Sequence, residues 1–380
     1  MSFSKLGLSA PLLKNIAAQQ YEQPRPIQEL AIPVILKGKD VLGIAQTGSG
    51  KTAGFALPIL EKLQGTQPTR NRFVKVLVLV PTRELAVQVK EVFQAFGNGL
   101  PRKVKTLAVY GGVSINPQMM QLQGTDVLVA TPGRLLDLIN SKAVQLGQVE
   151  LMVLDEADKM LNLGFKEEMD KIFALLPAKR QSILFSATLS SDVQSINEAL
   201  LHNPKIIEIK TESISPEQIS QVAYAVAPEK KGPFLRYLIK QGDWQQVLVF
   251  VSSTRTADNL VDKLNKNSIQ AAAMHSKKSQ GARTSALQQF KSGKLRVLVA
   301  TDLASRGIDI EQLPYVVNYD LPRSPKDYIH RIGRTGRAGA TGEAVSLITP
   351  EDQHHFKIIQ KKMGKQVEMR ESEEIDLKGF

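Results

Sequence analysis

A chain of 380 residues exceeds what one hydrophobic core ordinarily fills, so two domains are expected. The absence of cysteine excludes a disulfide framework and a thiolate metal site, and no apolar run approaches membrane-spanning length. With an ordinary 42% of hydrophobic and 23% of charged residues, the net charge of +12 calls for a polyanionic partner, because neutralising phosphates releases condensed counterions. The opening Met1-Ser2-Phe3-Ser4-Lys5 lacks the apolar core of a signal peptide, and a cytoplasmic location is expected.

Leu6 to Gln19 carries apolar residues at helical spacing, then breaks at Tyr21-Glu22-Gln23-Pro24-Arg25-Pro26-Ile27-Gln28, where two prolines fix the backbone of a turn. Val41 to Ile44 feeds the loop Ala45-Gln46-Thr47-Gly48-Ser49-Gly50-Lys51-Thr52, with a helix from near Ala53. That loop reads as a phosphate cradle. Gly48, Ser49 and Gly50 turn the backbone N–H groups inward, Lys51 reaches the β/γ-phosphates, and the Thr52 hydroxyl is placed to ligate Mg²⁺. Ala45 stands where the strict pattern has glycine.

Further apolar runs, Val76 to Val80, Val127 to Ala130, Leu151 to Leu154 and Ile183 to Phe185, alternate with helical stretches, as in a parallel sheet buried on both faces. The unit recurs at Val247 to Val251, Val297 to Ala300, Val316 to Tyr319 and Ala344 to Ile348, and Asp126 to Arg134 is echoed by Arg296 to Asp302. Two copies of one α/β architecture are expected: residues 1–209, a polar linker at 210–219, residues 220–367, and a short polar tail at 368–380. Lone Trp244 and His275 read as packing or surface residues, and Met119-Met120 as core.

In an open α/β sheet ligands sit beyond the carboxyl ends of the strands, and the unusual residues lie there. Pro81-Thr82-Arg83-Glu84-Leu85-Ala86, Thr131-Pro132-Gly133-Arg134, Asp155-Glu156-Ala157-Asp158 and Ser186-Ala187-Thr188 each follow an apolar run, as do Thr301-Asp302 and Asp320 in the second half. Asp155 can hold the Mg²⁺ shell, and Glu156 can polarise the water that attacks the γ-phosphate.

These segments, with the phosphate loop, Thr301 to Asp309 and His330-Arg331-Ile332-Gly333-Arg334-Thr335-Gly336-Arg337, together resemble a DEAD-box ATP-dependent RNA helicase, in family order and over nearly the whole chain. Met1-Ser2-Phe3 with Leu6-Gly7-Leu8 resembles the bacterial RhlE-like branch. The resemblance implies two tandem RecA-like doubly wound parallel-sheet domains, ATP as substrate, Mg²⁺, and a sequence-independent partner of single-stranded RNA and short RNA duplexes, handled by a monomer. It implies Gln28 as adenine reader, with Tyr21 stacking on the base and Phe3 packing behind, and Asp309 at the ribose. It makes Arg334 and Arg337 arginine fingers, one turn apart if the segment after Tyr328 is helical. Asp158, Ser186, Thr188 and His330 become a coupling network. RNA contact falls to Arg83, Gly111, Gly112, Thr131, Pro132, Gly133, Arg134, Gln280, Arg283 and Thr301, which read backbone and not bases. The family has glycine and Thr or Ser where this chain has Gln20 and Arg25, which bears on adenine selectivity. An ATP-gated RNA clamp with little unwinding, and a DNA-directed motor, are the other readings.

Overall fold

Continuous apolar runs of four to six residues leave a strand nothing to show to water, so each must lie between two layers of helix. The computed structural model describes residues 2–46, 48–209, 219–302, 313–335, 342–373 and 375–380. By its internal contacts the chain divides into two units, Met1–Thr211 and Glu212–Phe380.

The first unit holds β1 Val41–Ile44, β2 Val76–Leu79, β3 Thr106–Val109, β4 Val127–Ala130, β5 Leu151–Leu154, β6 Gln181–Ser186 and β7 Lys205–Glu208. They pair in parallel in the order β3-β4-β2-β5-β6-β1-β7. Its helices are α1 Ala10–Ala18, α2 Pro26–Leu36, α3 Lys51–Gln64, α4 Arg83–Gly97, α5 Asn116–Gln121, α6 Pro132–Asn140, α7 Ala157–Asn162, α8 Lys166–Phe173 and α9 Ser191–Leu200. Successive strand residues feed two cores: Val76 and Val78 join Phe55, Phe93 and Phe185 on one face, while Leu77 and Leu79 join Leu128, Met152 and Leu184 on the other.

The second unit repeats the winding. β8 Ser220–Ala225, β9 Val247–Val251, β10 Ala271–Met274, β11 Val297–Thr301, β12 Tyr315–Asn318, β13 Glu343–Ile348 and β14 Glu368–Glu371 take the order β10-β11-β9-β12-β13-β8-β14, which matches the first sheet position by position. Around them lie α10 Lys231–Gln241, α11 Thr254–Lys266, α12 Gln280–Lys291, α13 Pro325–Ile332 and α14 Gln353–Met363. The two-copy α/β architecture expected from the apolar runs is therefore present.

Several elements differ from expectation for physical reasons. β10 is built from Ala271, Ala272, Ala273 and Met274, good helix formers that become a strand by pairing with β11. β7 and β14 are largely exposed edge strands with a charged residue at each end. The tail is not loose: it supplies β14 beside β8, packs Ile375 and Leu377 against the core, and sets Phe380 edge-on to Tyr237. Trp244 is buried and stacks on Tyr315 at 4.2 Å between centroids. Met120, expected in the core, is 84% exposed, and Met119 alone of that pair packs inward.

Candidate functional site

The loop after β1 is shaped by side chains on its outer side. Gly48 and Gly50 both have positive φ, and Gly50 caps α3. Lys51 is buried, its Nζ donating to the Ala45 carbonyl at 2.9 Å. Gln28 is fully buried: Nε2 donates to the Gly50 carbonyl at 3.0 Å, and Oε1 accepts from the Arg25 backbone N–H at 3.0 Å. The Arg25 guanidinium donates to the Gly48 carbonyl. The start of α2 thus grips the loop at two carbonyls. Thr47 lies outside the described residues.

Tyr21 is 38% exposed, edge-on to Phe96 at 5.3 Å and 6.4 Å from Phe3. The Gln28 amide is committed to the loop and the helix cap.

The sheet brings the acidic motif to this loop, because β6 lies between β5 and β1. Asp155 is 2% exposed. Burial, with the neighbouring Glu156 carboxylate, pushes its carboxyl up to about 6 against the opposing pull of Lys51 and Lys159. Asp155 Oδ1 and Ser49 Oγ have no hydrogen-bond partner among the described residues. A buried carboxylate with a spare oxygen, within electrostatic reach of the Lys51 that opens α3, suits Mg²⁺, which takes one or two protein oxygens and fills the rest of its shell from water and phosphate. Glu156 adopts the left-handed conformation at the start of α7, and Lys159 holds its Oε1 at 2.6 Å. Ser186 ends β6; its carbonyl accepts from the Ala45 N–H at 2.9 Å, and its Oγ donates to the Thr188 carbonyl at 2.8 Å. Asp158 is half-buried in the first turn of α7, with Oδ1 unpartnered among the described residues.

The neighbouring half of the sheet, β3-β4-β2, gathers the first-unit nucleic-acid candidates. Arg83 opens α4, Gly111-Gly112 follows β3, and Thr131 to Arg134 follows β4, with the Thr131 N–H on the Val109 carbonyl at 3.1 Å. Gly112 has φ +76, and a side chain there would strike the Arg83 guanidinium. Arg134 was expected to offer its charge outward; it is 7% exposed and donates to the Val113 carbonyl at 2.8 Å, bracing the glycine loop from within.

In the second unit Gln280 and Arg283 share the first turn of α12, capped by Ser279, and Thr301 ends β11. Arg283 is 6% exposed. The helix expected to carry Arg334 ends at Ile332, because Gly333 caps it and the chain turns back to Leu313, where the Thr335 hydroxyl donates to the Leu313 carbonyl. Arg334 therefore lies in a turn, and Arg337 and Asp309 lie outside the described residues. His330 is exposed at the last turn of α13.

Comparison with known proteins decides the family. The family described as DEAD/DEAH box helicase matches residues 25–196, and the helicase conserved C-terminal domain matches 230–339. The chain is 41% identical over 360 residues to the DEAD-box ATP-dependent RNA helicase CshA of Geobacillus kaustophilus, covering 94% of this chain and 76% of that protein. It is 40% identical to ATP-dependent RNA helicase CshA of Listeria monocytogenes, covering 96% and 69%. Among solved structures it is similar to S. cerevisiae Dbp5 bound to RNA and ADP BeF3, at TM-score 0.80 and 33% identity over 98% of this chain and 95% of that one. The chain belongs to the DEAD-box family of ATP-dependent RNA helicases.

Two side chains of this DEAD-box helicase escaped the sequence reading. Arg331, 2% exposed, pairs with Asp302 and donates to Asn318 Oδ1 at 3.1 Å and to the Asp320 carbonyl at 2.6 Å, tying α13 to the ends of β11 and β12. Its neighbours in sequence hid it, since the partners lie at or just past strand ends 11 to 29 residues away. Arg25 registered as a departure from the family, but its reach to Gly48 did not.

Proposed function

We propose that this helicase couples RNA-stimulated ATP hydrolysis to the closing of its two units on single-stranded RNA and to local unwinding of short duplexes. The observation that carries it is the order of the first sheet, whose carboxyl edge carries in turn the phosphate loop, Ser186, Asp155 and then the loops that hold Arg83, Thr131 and Gly112. Lys51, Ser49 and the loop amides hold the phosphates, and Tyr21 stacks on the base. Asp155 and Thr52 hold Mg²⁺, which when bound neutralises charge on the β- and γ-phosphates. Glu156, its carboxylate oriented by Lys159, takes a proton from the attacking water.

Lys51 belongs to the first unit and Arg334 to the second, so the fingers Arg334 and Arg337, with Asp309 at the ribose, act after the units are brought together. Ser186, Thr188, Asp158 and His330 relay nucleotide state to the RNA loops. Gly111, Gly112 and Gly133 offer backbone N–H groups to RNA phosphates, Thr131 offers its hydroxyl beside Pro132, Arg83 adds charge, and Arg134 shapes that loop. Gln280, Arg283 and Thr301 complete the track. The finer assignments, a cytoplasmic monomer of the RhlE-like branch, rest on composition and on the first eight residues, while the relatives named above are called CshA.

Steady-state hydrolysis with Mg²⁺ and no nucleic acid, single-stranded RNA or single-stranded DNA tests the proposal. Stimulation by RNA alone is expected. A rate indifferent to RNA overturns the coupling, and equal stimulation by DNA overturns the preference for the 2′-OH.

A further inference from the structure

The positive surplus of the first unit does not lie at its nucleotide and RNA pole. There Arg25, Lys51, Arg83, Arg134 and Lys159 are matched by Glu84, Asp137, Asp155, Glu156 and Asp158. It lies at the other end of the sheet. The five residues preceding each of the seven strands supply nine lysines and arginines against three carboxylates. Two of those carboxylates are already consumed. Asp126, 2% exposed, accepts from Arg102 at 2.7 Å and from the N–H groups of Thr69 and Lys105. Asp40, 7% exposed, accepts from the N–H groups of Ser182 at 2.8 Å and His202 at 2.7 Å. Glu150 is left as the exposed carboxylate of this rim.

The exposed cations are spread along the rim and not gathered at one loop. Lys39 precedes β1, Arg72 precedes β2, Lys103 and Lys105 precede β3, and Lys179 precedes β6. From β3 to β1 the sheet order contains five inter-strand steps of about 4.8 Å, a band of about 24 Å. The four-residue strands hold this band about 13 Å from the loops at their carboxyl ends, so it serves a separate contact. The hydrogen bonds nearby shape the band: Lys75 Nζ and Arg102 Nη2 both donate to the Gln67 carbonyl, and Lys105 Nζ donates to that of Gln123, fixing the loops that carry the other cations.

We propose that this rim is a second RNA-binding surface, which holds the phosphate backbone of a duplex segment while the strand-end loops work on the single strand. The chemistry selects a duplex. The bases of a gripped single strand are commonly stacked on exposed aromatic side chains, and the aromatic ring among the described rim residues, Phe73, is half-buried, so the rim offers bases no such platform. A protein partner would need an apolar anchor pocket amid the charges. Cations spaced along an extended band suit phosphates and the 2′-OH-lined backbone of a duplex, read by shape and not sequence.

The inference rests on the reading of the chain as an RNA helicase, and the test separates the two. The variant Lys39→Glu/Arg72→Glu/Lys103→Glu/Lys179→Glu alters exposed residues outside the nucleotide and strand-end sites. Parent and variant are compared in ATP hydrolysis with a saturating single strand of about ten nucleotides, within the span of a single-strand site. They are also compared in affinity for a hairpin RNA bearing that strand as a tail, over a salt titration, with circular dichroism as the check on folding. The expected variant keeps the parental rate with the short strand and loses roughly tenfold or more in hairpin affinity, and its slope of log affinity against log salt is shallower by about 3. Unchanged hairpin affinity and slope overturn the proposal. An equal loss for the short strand alone also overturns it, because the rim would then belong to the strand-end site. Absence of RNA stimulation in the parent would count against the helicase reading, and the hairpin comparison would still decide this one.

Discussion

Arg331 meets Asp302 through two parallel hydrogen bonds, Nε to Oδ1 at 2.6 Å and Nη2 to Oδ2 at 2.7 Å. The same guanidinium lies 4.9 Å from the Phe250 ring centroid, so its charge is buried but fully partnered. Removing Arg331 leaves Asp302, 31% exposed, to water, but strips Asn318 and the Asp320 carbonyl of their buried donor, a loss of about 1–3 kcal/mol. Arg331→Met should therefore lower the unfolding midpoint of the second unit markedly, and Arg331→Lys should rescue little, since an ammonium cannot make the fork. Chemical denaturation followed by Trp244 fluorescence reports on that unit. A midpoint within error of the parent would show that the pair adds nothing net.

Gly112 offers a sharper probe of the RNA face. Its φ of +76 disfavours any side chain, and the methyl of Gly112→Ala would occupy the space of the Arg83 guanidinium. Arg83 must swing away, while Lys51, Asp155 and Glu156 lie at other strand ends. The affinity for single-stranded RNA should fall roughly tenfold, a loss of about 1.4 kcal/mol, with nucleotide affinity unchanged. Parallel titrations with labelled RNA and labelled nucleotide check this; matched losses in both would mean that the whole loop system had collapsed.

What was legible in the sequence, and what was not, follows from the same geometry. Parallel strands buried on both faces read as apolar runs, and the polar residues that interrupt them fall at strand ends, so Lys51, Asp155, Thr131 and Thr301 could be located from order alone. The direction in which a polar side chain points could not. Gln28 and Arg283 share a motif with exposed neighbours, yet both are buried in the folded unit, and Arg134 is buried with Thr131 and Pro132 of its motif. Pairing also overrides propensity: Ala271 to Met274 has no strand signature, and the helix through Tyr328 stops at Gly333 because Thr335 must reach Leu313.

Asp155 makes stability depend on pH. An aspartate in the unfolded chain titrates near 3.9, whereas burial raises Asp155 to about 6 in the folded protein. The folded state therefore holds the proton more tightly. That stabilisation is complete below the unfolded pKa and is lost as pH rises through about 6, a change on the order of 3 kcal/mol. In nucleotide-free protein, Asp155→Asn should match the parent near pH 4 and exceed it above about pH 6.5. Denaturant midpoints of both proteins across that range would show a difference that grows with pH; a constant difference would place the cost elsewhere.

Glu156 and Lys51 should separate chemistry from binding. Lys51→Ala removes the cation that reaches the phosphates and should abolish ATP binding. Glu156→Gln keeps the fold of the turn and should bind ATP and RNA together, with hydrolysis reduced roughly 10²- to 10⁴-fold, the range for loss of a general base. Single-turnover hydrolysis beside equilibrium binding gives both quantities. Parental turnover in Glu156→Gln would remove Glu156 from the chemical step.

Arg25 links the start of α2 to the phosphate loop in a way that a threonine or serine is too short to reproduce. Its guanidinium holds the Gly48 carbonyl, and its N–H holds the Gln28 amide, whose other end holds the Gly50 carbonyl. A peptide unit is planar and trans, so fixing a carbonyl on one side aims the following N–H to the other. Fixing Gly48 and Gly50 therefore sets the Ser49 and Lys51 N–H groups before a phosphate arrives, although the Ser49 N–H also makes a 3.3 Å contact with the Gln46 carbonyl that a phosphate would displace. Arg25→Thr removes the grip on Gly48 alone. The ordering of that peptide must then be supplied by nucleotide, at about 1 kcal/mol for one hydrogen bond. KM for ATP should rise several-fold, while kcat at saturating ATP stays within about twofold of the parent, since a uniform loss of binding leaves the chemical step untouched. A fall in kcat with KM unchanged would instead place Arg25 in the transition state, and no change in either would show that the loop keeps its shape without it.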